Sequence, residues 1–206
     1  MSEIGKTASR LAAMLESGSL DRLKAVEELR QSPYYSSLTE AFSDLQTERL
    51  YKSGVHGQDH IERVMLLGAI IAMQQGFTPR ETELLLIACS YHDIGRIDDG
   101  WDDRHGKRSA DALPAFLPGL DPKELRCLQA AIATHSTKDT LLDSNAAEYK
   151  VDAERMDLCR LLCKGLKDAD NLDRVRIHDL DIRHLRFDES KRMKQTAEEF
   201  YRIYRG

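Results

Sequence analysis

Residues 57–76 read GQDHIERVMLLGAIIAMQQG, and this stretch predicts a long helix with an apolar face. Its apolar and small residues recur at helical spacing, at Ile61, Val64, Met65, Leu67, Gly68 and Ile71. Gly57 precedes the pattern and Gly76 follows it, so we expect the helix to begin and end at these glycines. Asp59 and Glu62 are spaced as a variant capping box at its first turn.

The rest of the chain shows the same periodicity, interrupted by glycine and proline. Further helices are predicted over residues 7–16, 20–30, 37–51, 79–91, 107–117, 121–135, 153–175 and 188–204. Thr78 precedes Pro79 as a helix cap, and Gly95 offers a left-handed stop. The polar segments 96–107 and 136–150 are expected to be loops. Because no alternating strand pattern of useful length occurs, the predicted fold class is all-α, a compact multi-helix bundle.

Composition excludes several classes of protein. The chain has 206 residues and a net charge of −5, which suits one domain and offers no basic field for non-specific nucleic-acid binding. The longest uncharged stretch, residues 64–79, is too short and too polar for a membrane span. The first residues lack a basic and apolar leader, so we expect a cytoplasmic protein without membrane contact.

The four cysteines are scattered, and no two of them form a Cys-x-x-Cys pair. Most lie in or beside apolar stripes, so they are expected to be small buried residues in a reducing compartment. Cys159 and Cys163 share the spacing of a metal pair, but no nearby histidine or cysteine completes such a set.

Titratable residues continue the apolar stripes of four predicted helices. His60 aligns with Val64, His92 with Cys89, and His135 with Ile132, while Asp170 and then Asp173 follow Leu166. A buried carboxylate costs several kcal/mol unless a cation or a full set of hydrogen bonds compensates it. Any single residue of this kind is ordinarily a hydrogen-bonded core residue, but the coincidence of the set favours a metal site in one interior.

Three motifs carry a resemblance to a known family. They are VHGQDHIERV at residues 55–64, YHDIGR at residues 91–96 and DADNLD at residues 168–173. Their order resembles the His…His-Asp…Asp pattern of the HD-domain superfamily of metal-dependent phosphohydrolases, over residues 52–185. The resemblance implies an all-helical fold, hydrolysis of a phosphoester or phosphoanhydride, and one divalent metal ion. The implied ligands of that ion are His60, His92, Asp93 and Asp170.

Two further histidines match the two-metal branch of this superfamily. His105 and His135 correspond to ligands of a second ion, with Asp93 as the bridge between the two ions. The cyclic-dinucleotide phosphodiesterase branch is disfavoured, because this chain has Ser136 where that branch has a second histidine, and because its Gly-Tyr-Pro signature is absent. Contact with a substrate phosphate or the capping of a loop explains the two histidines equally well.

The resemblance and the neighbouring residues suggest a reaction. Asp93 is predicted to orient or deprotonate the attacking water, and His56 to protonate the leaving oxygen, although a plain loop role explains His56 as well. Arg96, Lys107 and Arg108 flank the metal loop and are predicted to bind a small phosphorylated substrate, in particular a nucleotide. The ligands suit Mn, Fe, Co, Ni, Zn or, less well, Mg.

Other interpretations remain open at this point. HD-type proteins with this six-ligand set include di-iron oxygenases, and a non-catalytic nucleotide-binding module is a third alternative. Trp101 either lines the pocket or belongs to a surface loop. The chain is divided into a helical extension, residues 1–50, and an HD-type domain, residues 51–206; the extension packs on the domain or forms a homodimer contact.

Overall fold

The computed structural model describes residues 9–206 and confirms the all-α prediction, since these residues form helices and no β-strand. The α-helices of the described chain are α1 (Arg10–Glu16), α2 (Lys24–Arg30), α3 (Tyr34–Asp44), α4 (Gln58–Gln75), α5 (Pro79–Tyr91), α6 (His105–Ala112), α7 (Pro122–His135), α8 (Leu142–Glu148), α9 (Met156–Asp173), α10 (Asp188–Arg192) and α11 (Lys194–Arg205). Short 3-10 turns connect several of them. None of the helices in the described part combines the length and apolar character needed to cross a bilayer.

Helix α4 is the centre of the bundle. Its residues from position 60 to position 72 are all buried, because α3, α5 and α9 pack around it. Helices α7 and α9 pack on each other, and α6 covers α7. The approach of α4 to α5 is close at Gly68, where an added Cβ would lie 2.8 Å from the Cys89 Sγ atom. A glycine in the middle of α4 therefore sets the spacing of the two helices that carry the first two motifs.

The ends of α4 and α5 show which capping predictions hold. Gly76 has a φ of 67° and ends α4 as predicted, and Thr78 forms a full capping box with Glu81 at the start of α5. The capping box predicted for Asp59 and Glu62 is wrong. No side chain of residues 9–206 caps α4, and the Glu62 carboxylate instead accepts the Leu11 backbone N–H at 3.2 Å.

Several predicted boundaries shift. Helix α2 begins at Lys24, α3 ends at Asp44, and α6 begins at His105, two residues earlier than predicted. The segment 136–150 is not a continuous loop, since α8 forms within it and packs on α7. Asn145 of α8 donates to the Thr134 hydroxyl at 2.8 Å, so tertiary contacts override the polar composition of this segment. Residues 7 and 8 of the first predicted helix lie outside the described residues.

Gly95 is not a left-handed stop, since its φ is not positive. It is required for another reason: an added Cβ would lie 2.3 Å from the Ser109 backbone nitrogen. The turn after α5 therefore lies directly against α6.

All four cysteines are buried and free. Tyr34 of α3 donates a hydrogen bond to the Phe77 carbonyl at 2.9 Å, so the predicted extension contacts the predicted domain. The division of the chain at residue 50 stays a prediction.

Candidate metal centre

Six side chains from five helices meet at one end of the bundle. Each comes from a helix terminus or from the turn that follows it, so the helices contribute their ends to a common interior. They are His60 in the first turn of α4, His92 and Asp93 after α5, His105 at the start of α6, His135 at the end of α7 and Asp170 in the last turn of α9. The structure thus brings together all six residues predicted as metal ligands. Groups of three among them have ligand atoms within 4.8 Å of one another.

The four imidazoles form two pairs. The Nε2 atoms of His60 and His92 lie 3.2 Å apart, and those of His105 and His135 lie 2.9 Å apart. All four rings are buried. The two pairs also contact each other, because the His92 and His135 rings meet edge to face with centroids 5.0 Å apart.

Asp93 lies between the two pairs and offers one carboxylate oxygen to each. Its Oδ2 atom is 3.6 Å from His60 Nε2 and 3.7 Å from His92 Nε2. Its Oδ1 atom is 3.1 Å from His105 Nε2 and 3.7 Å from His135 Nε2. Asp170 joins the first pair only, with its Oδ1 atom 3.5 Å from His60 Nε2 and 3.9 Å from His92 Nε2.

Hydrogen bonds at the opposite ring nitrogen fix the tautomer of each histidine. Each Nδ1 faces an oxygen that can only accept: the Asp173 carboxylate for His60, and the carbonyls of Cys89, Asp102 and Ile132 for His92, His105 and His135. The proton of each neutral ring is therefore on Nδ1, and the lone pair of each Nε2 is directed into the cluster. Metal-binding histidines are oriented by the same kind of partner.

The donor set fits bound cations. When both rings of a pair are neutral, their two Nε2 lone pairs face each other, which is unfavourable unless a cation lies near both. Two nitrogens bound to one ion at about 2.0–2.1 Å are about 2.9–3.4 Å apart, and both observed Nε2 separations fall in that range. Among the described residues, none donates a hydrogen bond to the buried Oδ1 atom of Asp93. Such an orphaned carboxylate oxygen is costly unless a cation compensates it.

Protonation in the cluster suits ligation as well. Burial lowers the pKa of His60 to about 4, and the charge of Arg176 adds to this effect, so the ring is neutral at pH 7. Burial alone would raise the pKa values of Asp93 and Asp170, but positive charge beside them lowers both, and Arg176 contributes such a charge at Asp170. Neutral imidazoles and ionised carboxylates are the forms that bind metal ions.

The family model of the HD domain matches residues 57–175, more than half of the chain. The chain belongs to the HD domain family. No curated protein and no solved structure matches it. The HD domain is the fold of a superfamily of metal-dependent phosphohydrolases, and membership implies that the cluster binds divalent metal. The match covers all three motifs apart from residues 55 and 56 of the first one.

Behind the cluster, this HD domain has a buried ion-pair network. The Asp173 carboxylate accepts from His60 Nδ1 at 2.7 Å, and from Arg63 Nε and Nη2 at 2.6 and 2.9 Å. Arg176 adds a contact at 3.4 Å. Tyr204 of α11 covers the Arg63 guanidinium, 4.9 Å from the ring centroid. The sequence pattern placed Asp173 on the inward face, but its partners Arg63 and Arg176 were visible only as charged residues near the motifs.

In front of the cluster, a cavity of about 570 Å³ leads to the metal-binding residues. His105, His135 and Asp170 line it, together with His56 and Arg96. His56 is held by Asp99, whose Oδ1 atom lies 3.0 Å from His56 Nδ1. A separate cavity of about 840 Å³ lies between α3, α5 and residues 116–120 and contains none of the six residues.

The cations of the cavity differ from those predicted. Lys107 does not line it, because α6 begins at His105 and turns residue 107 outward, where its ammonium pairs with Glu148. Arg108 is also outside the lining, since it binds the Gly95 carbonyl and the Asp102 carboxylate and so holds the loop. Arg96 does line the cavity. Three further cations line the cavity that were not predicted to bind the substrate: Lys167, Arg174 and Arg186. Lys167 and Arg174 were visible in the sequence only as basic residues near the motifs.

Proposed function

We propose that this HD domain is a metal-dependent phosphohydrolase that acts on a small phosphorylated substrate, specifically a nucleotide. One observation carries the proposal: Asp93 directs one oxygen to each of two histidine pairs whose Nε2 lone pairs converge. His60, His92, Asp93 and Asp170 would hold one divalent ion, and Asp93, His105 and His135 a second. Such ions supply the polarisation of a phosphoryl oxygen and the activation of water at neutral pH.

The protein's own side chains account for the remaining requirements of hydrolysis. Asp93 is ionised and buried, so its carboxylate is suited to orient the attacking water, while its lowered pKa makes it a weak acceptor of the proton. His56 lines the cavity and, oriented by Asp99, is proposed to protonate the leaving oxygen. Burial lowers the pKa of His56, and the negative charge of an incoming phosphate would favour its protonated form.

Cationic side chains in the cavity lining, together with the metal ions of the proposed site, support an anionic substrate. Arg96, Lys167, Arg174 and Arg186 line the cavity beside six aspartates, so the metal ions have to supply part of the positive charge that a phosphate meets there. Lys167 is buried, and its ammonium is held by the carbonyls of Thr134 and Thr137 and by the Asp139 carboxylate, so its three donors are occupied. Arg96 is better suited to hold a phosphate oxygen, because its buried Nη1 atom has no hydrogen-bond partner among the described residues. The volume of the cavity is in the range of small-molecule sites.

A substrate screen tests the proposal. Protein loaded separately with Mn, Co, Ni, Zn or Mg is assayed with nucleoside mono-, di- and triphosphates, cyclic nucleotides and sugar phosphates, and released phosphate or nucleotide is measured. We expect metal-dependent turnover that is abolished in Asp93→Asn and unchanged in Asp157→Asn, which alters an exposed carboxylate of α9. Absence of turnover with every metal and every phosphoester would overturn the proposal.

The gathering of all six ligands also supports a second candidate, a di-iron oxygenase. The same screen is therefore repeated with iron-loaded protein, with and without oxygen, and oxygen uptake is followed. Phosphate release that is independent of oxygen supports the hydrolase. Oxygen consumption with an organic substrate, without phosphate release, would support the oxygenase instead.

A further inference from the structure

Trp101 is an exposed aromatic residue in the lining of the metal-site cavity. It is the only tryptophan of the chain, and 94% of its surface is accessible. The cavity that it lines also contains His105, His135 and Asp170 of the metal centre. An indole left in water at such a place has an unused apolar surface beside the reactive groups.

The loop around Trp101 is held at both sides of the residue. Asp99 accepts from the Ser53 hydroxyl at 2.6 Å and contacts His56, and the Gly100 N–H donates to Asp98 at 2.8 Å. On the other side, Asp102 pairs with Arg108 of α6. The backbone is thus fixed by polar contacts on both sides, while the indole itself is presented to solvent.

Trp101 and Ile177 are the two apolar side chains in a lining that is otherwise charged, polar or glycine. Ile177 is also exposed, to 42%. The remaining lining residues supply metal-binding groups, cations and further aspartates, and some of these pair with one another, as Arg174 does with Asp179. The cavity therefore offers its apolar surface beside the metal centre, a combination that suits a phosphate joined to an apolar group better than inorganic phosphate.

We infer that Trp101 stacks on the aromatic base of the substrate, and so selects nucleotides over phosphoesters that lack a planar base. The inference rests on the proposed function, because the phosphate must reach the metal centre while the base lies on the indole. Aromatic side chains bind bases of any identity through their faces, so Trp101 favours nucleotides as a class and does not distinguish one base from another.

Intrinsic fluorescence tests the contact without requiring turnover. Because Trp101 is the only tryptophan, the tryptophan emission of the full chain reports on this residue alone. Calorimetry on the same protein gives the concentrations at which AMP, GMP, CMP, UMP and the base-free ribose 5-phosphate are bound. We expect quenched or shifted emission with the bound nucleotides and little change with ribose 5-phosphate. Bound nucleotide with unchanged emission, or no binding of any nucleotide, would overturn the inference.

Kinetics test selection. For the best nucleotide of the screen and its base-free counterpart, we expect Trp101→Ala to lower kcat/KM for the nucleotide by about five- to a hundredfold, mainly through KM, which is the usual effect of losing one stacked base. Turnover of the base-free compound should be unchanged. Trp101→Phe should retain most of the preference. The matched control is Ile97→Ala, an exposed apolar residue of the same loop that does not line the cavity.

The results separate the two proposals. Equal losses on both substrates, or no loss on the nucleotide, would overturn the role of Trp101 and leave hydrolysis intact. If the wild-type protein hydrolyses no phosphoester, the proposed function fails, and the emission experiment still decides whether a base stacks on Trp101.

Discussion

His60 Nδ1 donates a hydrogen bond to Asp173 Oδ2 over 2.7 Å, although the two residues are 113 positions apart in the chain. The bond joins the first turn of α4 to the last residue of α9 and fixes the His60 ring with its Nε2 lone pair toward Asp93. The same carboxylate neutralises Arg63 through two further hydrogen bonds. Asp173 therefore couples the orientation of a metal ligand to a buried ion pair.

The first prediction concerns this carboxylate. Asp173→Asn keeps an oxygen for His60 but leaves Arg63 without its buried counterion. We expect metal affinity to fall by about 10- to 100-fold and the free energy of unfolding to fall by about 1–3 kcal/mol. Chelator titration followed by metal analysis, together with urea unfolding, measures both effects. Asp188→Asn, an exposed carboxylate on α10, should change neither quantity; equal behaviour of the two variants would contradict the account.

The second prediction concerns the contact of the turn after α5 with α6. Gly95→Ala would place a methyl group 2.3 Å from the Ser109 backbone nitrogen and 2.7 Å from the Arg108 Cβ atom. We expect a loss of stability of about 1–3 kcal/mol, because the backbone must move to admit the methyl group. Gly119→Ala is the matched control, since no atom of the described chain lies within 4 Å of the added carbon there. Equal urea midpoints for the two variants would show that the contact is not tight.

The third prediction is a dependence of stability on pH. Burial would raise the pKa of Asp139, but hydrogen bonds from Arg186 and Lys167 lower it from 3.8 to about 2. A carboxyl group with a lowered pKa in the folded state stabilises the protein above its unfolded pKa, and this stabilisation disappears as the pH falls through the folded value.

Asp139→Asn should therefore reduce stability at pH 7 and lose this effect between about pH 4 and pH 2. The side chain is 56% exposed, so solvent screening limits the difference to about 1 kcal/mol or less. Unfolding of both proteins across this pH range measures it. A difference that is constant with pH would show that the ion pairs do not contribute.

The fourth prediction compares two cations near the motifs. Arg96 lines the cavity and lies 3.0 Å from Asp93, whereas Lys107 is directed away and pairs with Glu148. We expect Arg96→Ala to lower kcat/KM by about ten- to a hundredfold, the effect of losing a hydrogen bond to a charged group. Lys107→Ala should leave kcat/KM unchanged. If Lys107→Ala lowered kcat/KM more than Arg96→Ala does, Lys107 would have the substrate-binding role that the sequence predicted.

The fold class and the six clustered residues were predictable from the sequence because both depend on local spacing. His60, His92, His135 and Asp170 each continue an apolar stripe of their own helix, so the helical period alone directs them into one interior. The family motifs added Asp93 and His105. Gly76 and Thr78 likewise carry their own backbone signals, and the end of α4 and the start of α5 were predicted correctly.

The surroundings of the cluster were not predictable in this way. Arg63 finds Asp173 across 110 positions, and the loop that carries Arg186 brings it to Asp168 and Asp139. Such pairings depend on which loops meet after packing. The distance of a residue from a motif in the sequence therefore does not predict its ion-pair partner. Lys107 shows the error directly, since it is two residues from His105 and faces the opposite side of α6.

Metal content per chain tests the central claim, that Asp93 joins two metal sites. We expect about two equivalents of metal per chain in the wild type and about one in each of His92→Ala, His105→Ala and His135→Ala. Asp93→Ala should show the largest loss of metal. His184→Ala, which alters an exposed histidine of the cavity outside the cluster, should retain both ions. Metal content that is unchanged in all four cluster variants would contradict the account.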